Sequence, residues 1–292
     1  MVSEPVSWVT RQKVDSRHLR VKCQKCNDEF VILTRPIYLS TNDVDALNAK
    51  QVTIEDVIRK AHGSYLCASC DKKEEQDREK LRAIELQEKM RMNSGIPARW
   101  QNSELLTQFK TGGNKTALNM IQAHIPPQLP ESDKAWDNVN WKSFVLYSPN
   151  LFGVGKTHLL CGLGMTLINQ DRAVHYATEV DLMMRLRNTF NNSRYDGETE
   201  LSIYQNVLRN DYLFIDDVGK VKPRDGSFLQ GVYFYLIDKI YNEDCAAYCL
   251  GIATNLTLEE LGQHIGGACE DRLTELCGRS NLVRMTGKSH RG

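Results

Sequence analysis

Residues 144–160, with the sequence FVLYSPNLFGVGKTHLL, constrain the fold of this chain more than any other stretch. The four apolar residues at 144–147 are typical of a buried strand, and residues 158–170 have the spacing of a helix. Between these segments lies a loop that contains Gly-Val-Gly-Lys-Thr at 153–157. A strand that leads through a glycine-containing loop into a helix is suited to binding phosphate groups. The sequence therefore predicts a phosphate loop.

The residue types of this loop match the chemistry of a triphosphate. Side chains are excluded at Gly153 and Gly155, so the backbone N–H groups can approach phosphate oxygens. Lys156 can reach the β- and γ-phosphates, and the hydroxyl of Thr157 can bind Mg²⁺. The loop therefore predicts ATP or ADP with Mg²⁺ as its ligands. The predicted nucleotide-binding residues of the loop are Asn150, Gly153, Val154, Gly155, Lys156, Thr157 and His158.

One position departs from the usual pattern. Six residues before Lys156, where glycine is usual, the chain has Asn150. Asparagine adopts positive φ more readily than most residues, so we expect the shape of the loop to be preserved. A chance match in an ordinary turn is the alternative, but the strand before the loop and the helix after it favour the phosphate loop.

A second landmark is the pair of carboxylates in the segment 212–218, Tyr-Leu-Phe-Ile-Asp-Asp-Val. The apolar residues predict a buried strand whose carboxyl end lies beside the phosphates. Asp216 is therefore predicted to bind Mg²⁺, commonly through water, and Asp217 to orient or deprotonate the attacking water. Two carboxylates beside a buried strand without a cation would be costly, which favours the metal site.

Asn255 follows a further predicted strand at 248–254. Its amide is a candidate for positioning the attacking water against the γ-phosphate. A structural role, in which Asn255 caps the helix that begins near Leu258, is compatible with this one.

Beyond the phosphate loop, apolar strands alternate with helical segments, a pattern that indicates a parallel sheet with helices on both faces. The predicted strands are at 144–147, 173–178, 212–218, 248–254 and 281–286. The predicted helices after the first are at 180–190, 226–243 and 268–277. We therefore predict an α/β domain with five parallel strands over residues 96–292.

Two C-x-x-C pairs, Cys23 with Cys26 and Cys67 with Cys70, predict a metal site in residues 1–70. Four thiolates can form a tetrahedral zinc site in a small ribbon-like domain, and an iron–sulfur or redox role is the alternative. The 40 residues between the pairs are more than a compact ribbon needs. We predict a strand at 30–33 and a short helix at 53–62 around this insertion. The remaining cysteines are expected to pack as small hydrophobic residues.

Residues 71–95 predict a charged and mostly exposed helix that links the two regions, since this segment is dense in charge and has only a broken apolar stripe. This helix is equally compatible with a lever between the zinc module and the nucleotide-binding domain and with an inert spacer. Residues 11–25 contain six Lys or Arg residues and one Asp. This run is compatible with a phosphate-binding strip and with a solvated or protein-docking face.

Composition limits the classes of partner. The formal net charge is zero, so any contact with nucleic acid must come from a local patch. Arg194 and Tyr195, in a polar loop at 191–200, are one candidate for contact with single-stranded nucleic acid. No apolar run is long enough to cross a membrane, and no signal-peptide core precedes the domain. We therefore expect a cytoplasmic protein without a membrane partner.

With these residues assembled, the chain resembles the DnaC/DnaI/IstB branch of AAA+ ATPases over residues 95–291. A zinc-binding module before the ATPase domain is similar to the DnaI-type loaders rather than to the transposition helpers. The motifs that carry the resemblance are Gly95-Ile-Pro97, Gly155-Lys-Thr-His-Leu159, Ile215-Asp-Asp-Val-Gly219, Ala253-Thr-Asn-Leu256, Asp271-Arg-Leu273 and Gly287-Lys-Ser-His-Arg291.

This resemblance implies an AAA+ domain without a C-terminal lid and an ATPase that loads a hexameric replicative DNA helicase onto single-stranded DNA. The N-terminal zinc module would dock on the helicase. By the same resemblance, Arg272 would be an arginine finger that acts on the ATP of a neighbouring subunit, and Arg291 would be a second sensor that contacts the nucleotide. A finger supplied in trans requires self-association into a nucleotide-dependent oligomer.

Two other functions remain open at this point. One is an IstB-like transposition regulator that coats duplex DNA, and the other is a zinc-dependent adaptor whose nucleotide site is a structural switch. A loader should capture a replicative helicase and a regulator should capture a transposase. An adaptor should have no turnover that is sensitive to Arg272→Ala.

Overall fold

The chain divides into two units, Met1–Ile84 and Glu85–Gly292. The computed structural model describes residues 13–14, 18–33, 37–38, 41–53, 56–57, 66–101, 106, 109, 113–127, 139–191, 198–222, 226–243, 245–287 and 289. The boundary between the units falls within the predicted linker, and the three predicted segments 1–70, 71–95 and 96–292 stay predictions.

The first unit contains short antiparallel strands. They are β1 (Lys13–Val14), β2 (His18–Lys22), β3 (Glu29–Leu33) and β4 (Ile37–Tyr38), with β1 paired to β4 and β2 to β3. Helix α1 (Thr41–Asn48) follows and was not predicted. The predicted strand at 30–33 is confirmed as part of β3. Most of the predicted helix at 53–62 lies outside the described residues, and only Asp56 and Val57 are described there as helical.

Helix α2 (Ala68–Asn93) contains the charged segment and has no buried residue. Its apolar side chains do not form a continuous stripe, and Leu81, Ile84 and Leu86 are each more than half exposed. The prediction of a mostly exposed helix is therefore confirmed, although the helix begins three residues before the predicted segment 71–95 and ends two residues before its end. In the part of the chain that the structure describes, no helix combines the length and the apolar character needed to cross a bilayer.

The second unit is built on a parallel sheet of five strands, in the order β6-β7-β8-β5-β9. All four neighbouring pairs are parallel. The predicted α/β class and its five parallel strands are confirmed, although three strands begin or end one or two residues away from the prediction. The strands are β5 (Phe144–Tyr147), β6 (Val174–Thr178), β7 (Tyr212–Val218), β8 (Cys249–Thr254) and β9 (Leu282–Arg284).

Helices cover both faces of this sheet. They are α3 (Lys115–Ala123), α4 (Lys156–Ile168), α5 (Glu179–Asn191), α6 (Glu200–Leu208), α7 (Gly226–Tyr241), α8 (Leu258–Ile265) and α9 (Gly267–Cys277). Tyr212 and Phe214 on β7 belong to a core with α3 and α4, whereas Leu213 and Ile215 belong to a core with α5–α9. Successive residues of a strand point to opposite faces, so this alternation places one helical layer on each side. Helix α6 was not predicted.

The outer edge of β6 is covered by the segment that follows α2. Tyr176 N donates a 2.6 Å hydrogen bond to Ser94 O. Gly95 has a φ of +76°, and a Cβ atom at this position would lie 2.1 Å from Tyr176 O. Glycine is therefore required at 95, both for the left-handed backbone and for the close approach of this segment to strand β6.

Candidate functional site

The phosphate loop joins β5 to α4 and has a left-handed backbone at three positions. The φ angles are +59° at Asn150, +75° at Gly153 and +100° at Gly155. The expectation that Asn150 adopts positive φ is confirmed. Helix α4 begins directly after Gly155, so its first backbone N–H groups and its positive dipole end point at the loop.

Lys156 lies under the loop, with only 7% of its surface exposed. Its Nζ donates to Asn255 Oδ1 at 2.6 Å and also to Ser148 Oγ. Ser148 Oγ in turn donates to Leu151 O at 2.8 Å within the loop. The lysine is therefore positioned by side chains from the ends of β5 and β8.

The structural role considered for Asn255, as a helix cap, is wrong. Helix α8 is capped by Thr257, whose hydroxyl accepts from the backbone N–H of Glu260, while the Glu260 carboxylate accepts from Thr257 N. This reciprocal capping box satisfies the helix start without Asn255. The amide of Asn255 is thus available to the nucleotide site, where it contacts Lys156.

Asp216 lies at the carboxyl end of β7 and is 2% exposed. Its Oδ2 atom accepts hydrogen bonds from Thr157 Oγ1 at 2.6 Å and from Tyr176 OH at 2.7 Å. Burial raises the pKa of Asp216, and the two hydroxyl donors offset only part of this shift. The two predicted Mg²⁺ ligands, Thr157 and Asp216, are therefore in direct contact.

Asp217 follows in a left-handed conformation, with a φ of +54°. Its backbone N–H donates to Asp216 Oδ1 at 2.8 Å, so the turn that carries Asp217 is tied to the neighbouring carboxylate. The side chain of Asp217 is half-buried and lines the same cleft as Lys156 and Asn255.

The cleft also has residues that were not predicted. They are Trp100, Phe152 and Lys220. The ring of the predicted residue His158 lies 5.5 Å from the Trp100 ring and 5.3 Å from the Phe109 ring, between centroids, so it packs against two aromatic rings. The cleft is lined by Trp100, Phe152, Gly153, Val154, Gly155, Lys156, Thr157, His158, Asp217, Lys220 and Asn255. Six of the seven predicted loop residues therefore converge here, and Asn150 shapes the loop without lining the cleft.

A buried carboxylate, Glu179, accepts hydrogen bonds from the backbone of the turn after Asp217. It is fully buried and accepts from Gly219 N at 3.0 Å, from Val221 N at 2.9 Å and from Tyr233 OH at 2.8 Å. His264 Nε2 lies 2.6 Å from Oε1, the oxygen atom that also accepts from Tyr233, whereas the two N–H groups donate to Oε2. Burial would raise the pKa of Glu179, but the contacts with His264 and the N–H donors outweigh it and lower the pKa below its usual value.

Arg272 lies outside this cleft. Its guanidinium forms a 2.6 Å ion pair with Asp238 and lies over the rings of Phe234 and Tyr241, at 5.0 and 5.6 Å from their centroids. A residue that serves a neighbouring subunit need not approach the nucleotide of its own chain, so its predicted role stays a prediction. Arg291, Arg194 and Tyr195 lie outside the described residues.

The four paired cysteines meet in the first unit. Their Sγ atoms lie within 4.8 Å of one another, and Cys26 Sγ is 3.6 Å from Cys67 Sγ. In a tetrahedral zinc site with Zn–S bonds of about 2.3 Å, sulfur atoms are about 3.8 Å apart. The geometry of Cys23, Cys26, Cys67 and Cys70 therefore fits one such ion.

The remaining cysteines lie elsewhere in the chain, in the interior of the second unit. They are buried or half-buried at Cys161, Cys245, Cys249, Cys269 and Cys277.

Sequence comparison links the second unit to an ATP-binding family. A family model described as IstB-like ATP binding protein matches residues 137–292, slightly more than half of the chain. The replicative helicase loader DnaC of Buchnera aphidicola is 34% identical over 82 residues, which are 28% of this chain and 32% of the relative. The replicative helicase loader DnaC of Escherichia coli K12 is 26% identical over 121 residues, 41% of this chain and 46% of the relative. The chain thus spans less than half the length of the curated relatives it matches.

Two solved structures align with about two thirds of this chain. A DnaI structure aligns with 16% identity and a TM-score of 0.49, over 67% of this chain and 94% of that one. A DnaC helicase loader structure aligns with 20% identity and a TM-score of 0.49, over 65% of this chain and all of that one.

Proposed function

Because the chain belongs to the family of IstB-like ATP binding proteins, and so to the predicted class of P-loop ATPases, we propose that it hydrolyses Mg·ATP to load a hexameric replicative DNA helicase onto single-stranded DNA. One observation carries the nucleotide part of this proposal. The ammonium of Lys156 and the oxygen ligands of Thr157 and Asp216 converge beside a loop whose backbone N–H groups are exposed by glycine.

The geometry supports distinct roles for these groups. Lys156 would bind the β- and γ-phosphates, while Thr157 and Asp216 would hold Mg²⁺. Their two oxygens are already adjacent and are the hard ligands that this ion prefers. When bound, Mg²⁺ neutralises charge on the phosphates. Asp217 would orient or deprotonate the attacking water, and Asn255 would position it at the γ-phosphate.

Completion of the site would need a second subunit. Arg272 is on α9 and does not line the cleft of its own chain, which is compatible with a finger that reaches the ATP of a neighbour. An arginine supplied in trans stabilises negative charge that develops during phosphoryl transfer. We therefore expect a nucleotide-dependent oligomer in which turnover depends on association. Arg291 is proposed to contact the nucleotide as a second sensor.

The partner is proposed from the named relatives. Two curated relatives are called replicative helicase loader DnaC, and this chain matches less than half of either. A helicase and single-stranded DNA are therefore proposed as partners, with the cytoplasm as the proposed compartment.

The cysteine cluster is proposed to bind one structural Zn²⁺. Four sulfur donors within 4.8 Å of one another fit a closed site without an open coordination position. The small strand pairs of the first unit have few buried apolar residues among those described, so metal binding would supply much of the free energy of folding. The proposed role of this module is to dock on the helicase.

A loading assay with the full chain tests the proposed function. A hexameric replicative helicase is incubated with circular single-stranded DNA, the chain and Mg·ATP, and the helicase retained on the DNA is measured after gel filtration. We expect wild-type chain to raise retention several-fold and Lys156→Ala to give no increase. Lys222→Ala, which removes an exposed lysine that does not line the cleft, serves as the matched control.

Other outcomes would reassign the chain. Capture of a transposase with no effect on any helicase would indicate the transposition regulator. Helicase capture without turnover that responds to Arg272→Ala would indicate the adaptor with a nucleotide switch.

A further inference from the structure

Lys220 brings a second lysine to the nucleotide cleft. It lies three residues after Asp217, and its side chain lines the cleft together with Lys156, Asp217 and Asn255. Asp217 lies near the carboxyl end of β7 and Asn255 directly follows β8, and ligands of a parallel sheet of this kind bind outside the carboxyl ends of its strands. Lys220 therefore lies beside Asp217 and Asn255, the residues proposed to position water at the γ-phosphate.

The backbone around Lys220 is fixed by a buried anion. Gly219 N and Val221 N, on either side of Lys220, both donate to Glu179 Oε2, at 3.0 and 2.9 Å. Glu179 is itself anchored by Tyr233 OH at 2.8 Å. Both flanking N–H groups thus donate to the buried carboxylate, while the side chain of Lys220 lines the cleft.

Among the residues that the structure describes, the ammonium of Lys220 contacts an aromatic ring rather than a carboxylate. Its Nζ lies 5.5 Å from the centroid of the Phe152 ring, and Phe152 is 61% exposed. A cation–π contact at an exposed site is weaker than a hydrogen bond between an ammonium and a phosphate. Exchange of the ring for a phosphate oxygen would therefore be favourable. Lys156, by contrast, is already bonded to Ser148 and Asn255 beneath the loop.

From this geometry we infer that Lys220 contacts the γ-phosphate of ATP from the same chain and makes the site prefer ATP over ADP. The inference rests on the proposed function, because it presupposes that the cleft binds nucleotide. Its physical basis is charge. A triphosphate presents additional negative charge at its terminal group, and a second ammonium there stabilises ATP without contacting ADP. Glu179 acts as a positioning residue for Lys220.

Equilibrium binding of fluorescent ATP and ADP analogues to the full chain tests this inference. The variant is Lys220→Met, and Lys222→Met is the matched control, because it removes an exposed lysine two residues away that does not line the cleft. We expect Lys220→Met to weaken binding of the ATP analogue about tenfold, as for loss of one charge-assisted contact. Binding of the ADP analogue should change less than about twofold. Lys222→Met should bind both analogues like wild type.

Three outcomes separate the possibilities. An unchanged ratio of ATP to ADP affinity in Lys220→Met, with wild-type melting temperature, would overturn the inference and leave the proposed function intact. Altered self-association with unchanged nucleotide affinity would also overturn it and would assign Lys220 to a contact between subunits. Failure of wild-type chain to bind either analogue more tightly than Lys156→Ala would reject the nucleotide site itself. Glu179→Gln should reduce the preference for ATP in the same direction as Lys220→Met.

Discussion

The hydroxyl of Tyr176 donates a 2.7 Å hydrogen bond to Asp216 Oδ2, the oxygen atom that also accepts from Thr157. Tyr176 lies on the neighbouring strand β6 and is nearly fully buried. A donor behind a metal-ligating carboxylate fixes the orientation of that carboxylate. Tyr176 is therefore part of the proposed Mg²⁺ site although it would not contact the ion.

Replacement of Tyr176 by Phe should weaken the use of Mg²⁺. The carboxylate of Asp216 would lose one of its two hydroxyl donors, and such losses typically cost tenfold or more in metal affinity. We expect the Mg²⁺ concentration for half-maximal ATP turnover to rise roughly tenfold. Tyr212→Phe is the matched control, since this buried tyrosine of the same core bonds to His124 O and not to the site. An identical Mg²⁺ dependence in both variants would contradict the role of Tyr176.

Replacement of Cys67 by Ser should release the proposed zinc. A site with three thiolates and one hydroxyl binds zinc less tightly, because the thiolate is the preferred ligand. Metal analysis of the purified full chain should give about one zinc per wild-type chain and a small fraction of that for the variant. Cys245→Ser, which changes a cysteine outside the cluster, should retain zinc. Equal zinc content in the two variants would reject the site, and ATP binding should be the same in both.

Replacement of Arg272 by Ala should reduce turnover and leave ATP affinity unchanged. A finger residue stabilises the transition state rather than the bound substrate, and its loss costs about 1,000-fold or more. The ion pair with Asp238 provides the control. Asp238→Ala removes the same ion pair and keeps the guanidinium, so it should retain most of the turnover. If the two variants lose turnover equally, the ion pair has a structural role and Arg272 is not a finger.

His175 should make the stability of the second unit sensitive to acid. This residue of β6 is buried, and burial lowers its pKa from 6.5 to about 4, with a smaller contribution from the charges of Arg185 and Arg209. As the pH falls below 6.5, His175 becomes protonated in the unfolded chain, whereas in the folded chain it stays neutral until about pH 4. Stability is therefore full above pH 6.5 and is lost as the pH falls, by roughly 2 kcal/mol between pH 7 and pH 5.

Urea titrations at several pH values test this expectation. The variant His175→Leu has no group that titrates at this position, so its free energy of unfolding should fall less than that of wild type over the same range. Parallel pH dependence in the two proteins would mean that other groups account for the acid sensitivity.

Local pattern was sufficient for much of the second unit. The strand at 144–147, the phosphate loop and the strand that ends in Asp216 and Asp217 were predicted because each depends on adjacent residues. Even the positive φ of Asn150 follows from its own side chain. Helix α6 was missed because it is short, although Thr199 and Ser202 form a capping box at its start.

Contacts between distant segments could not be predicted in this way. Tyr176 precedes Asp216 by 40 residues, and only the pairing of β6 with β7 brings the two side chains together. Glu179 and His264 are likewise 85 residues apart, and only the fold brings α5 and α8 close enough for the two side chains to make contact. Ser148 directly follows β5 and is only eight residues before Lys156, to which it bonds. It was nevertheless missed, because a serine at the end of a strand does not by itself indicate a binding site.

Coverage of β6 by Ser94 and Gly95 has a consequence for assembly. Unprotected edge strands recruit further strands and grow into continuous sheets or fibrils. Here the middle of the edge is taken up by the protein's own backbone, through the bond from Tyr176 N to Ser94 O. Sheet extension between subunits is therefore disfavoured at β6, so a neighbouring subunit that approaches this edge meets the side chains of the covering segment rather than open backbone groups.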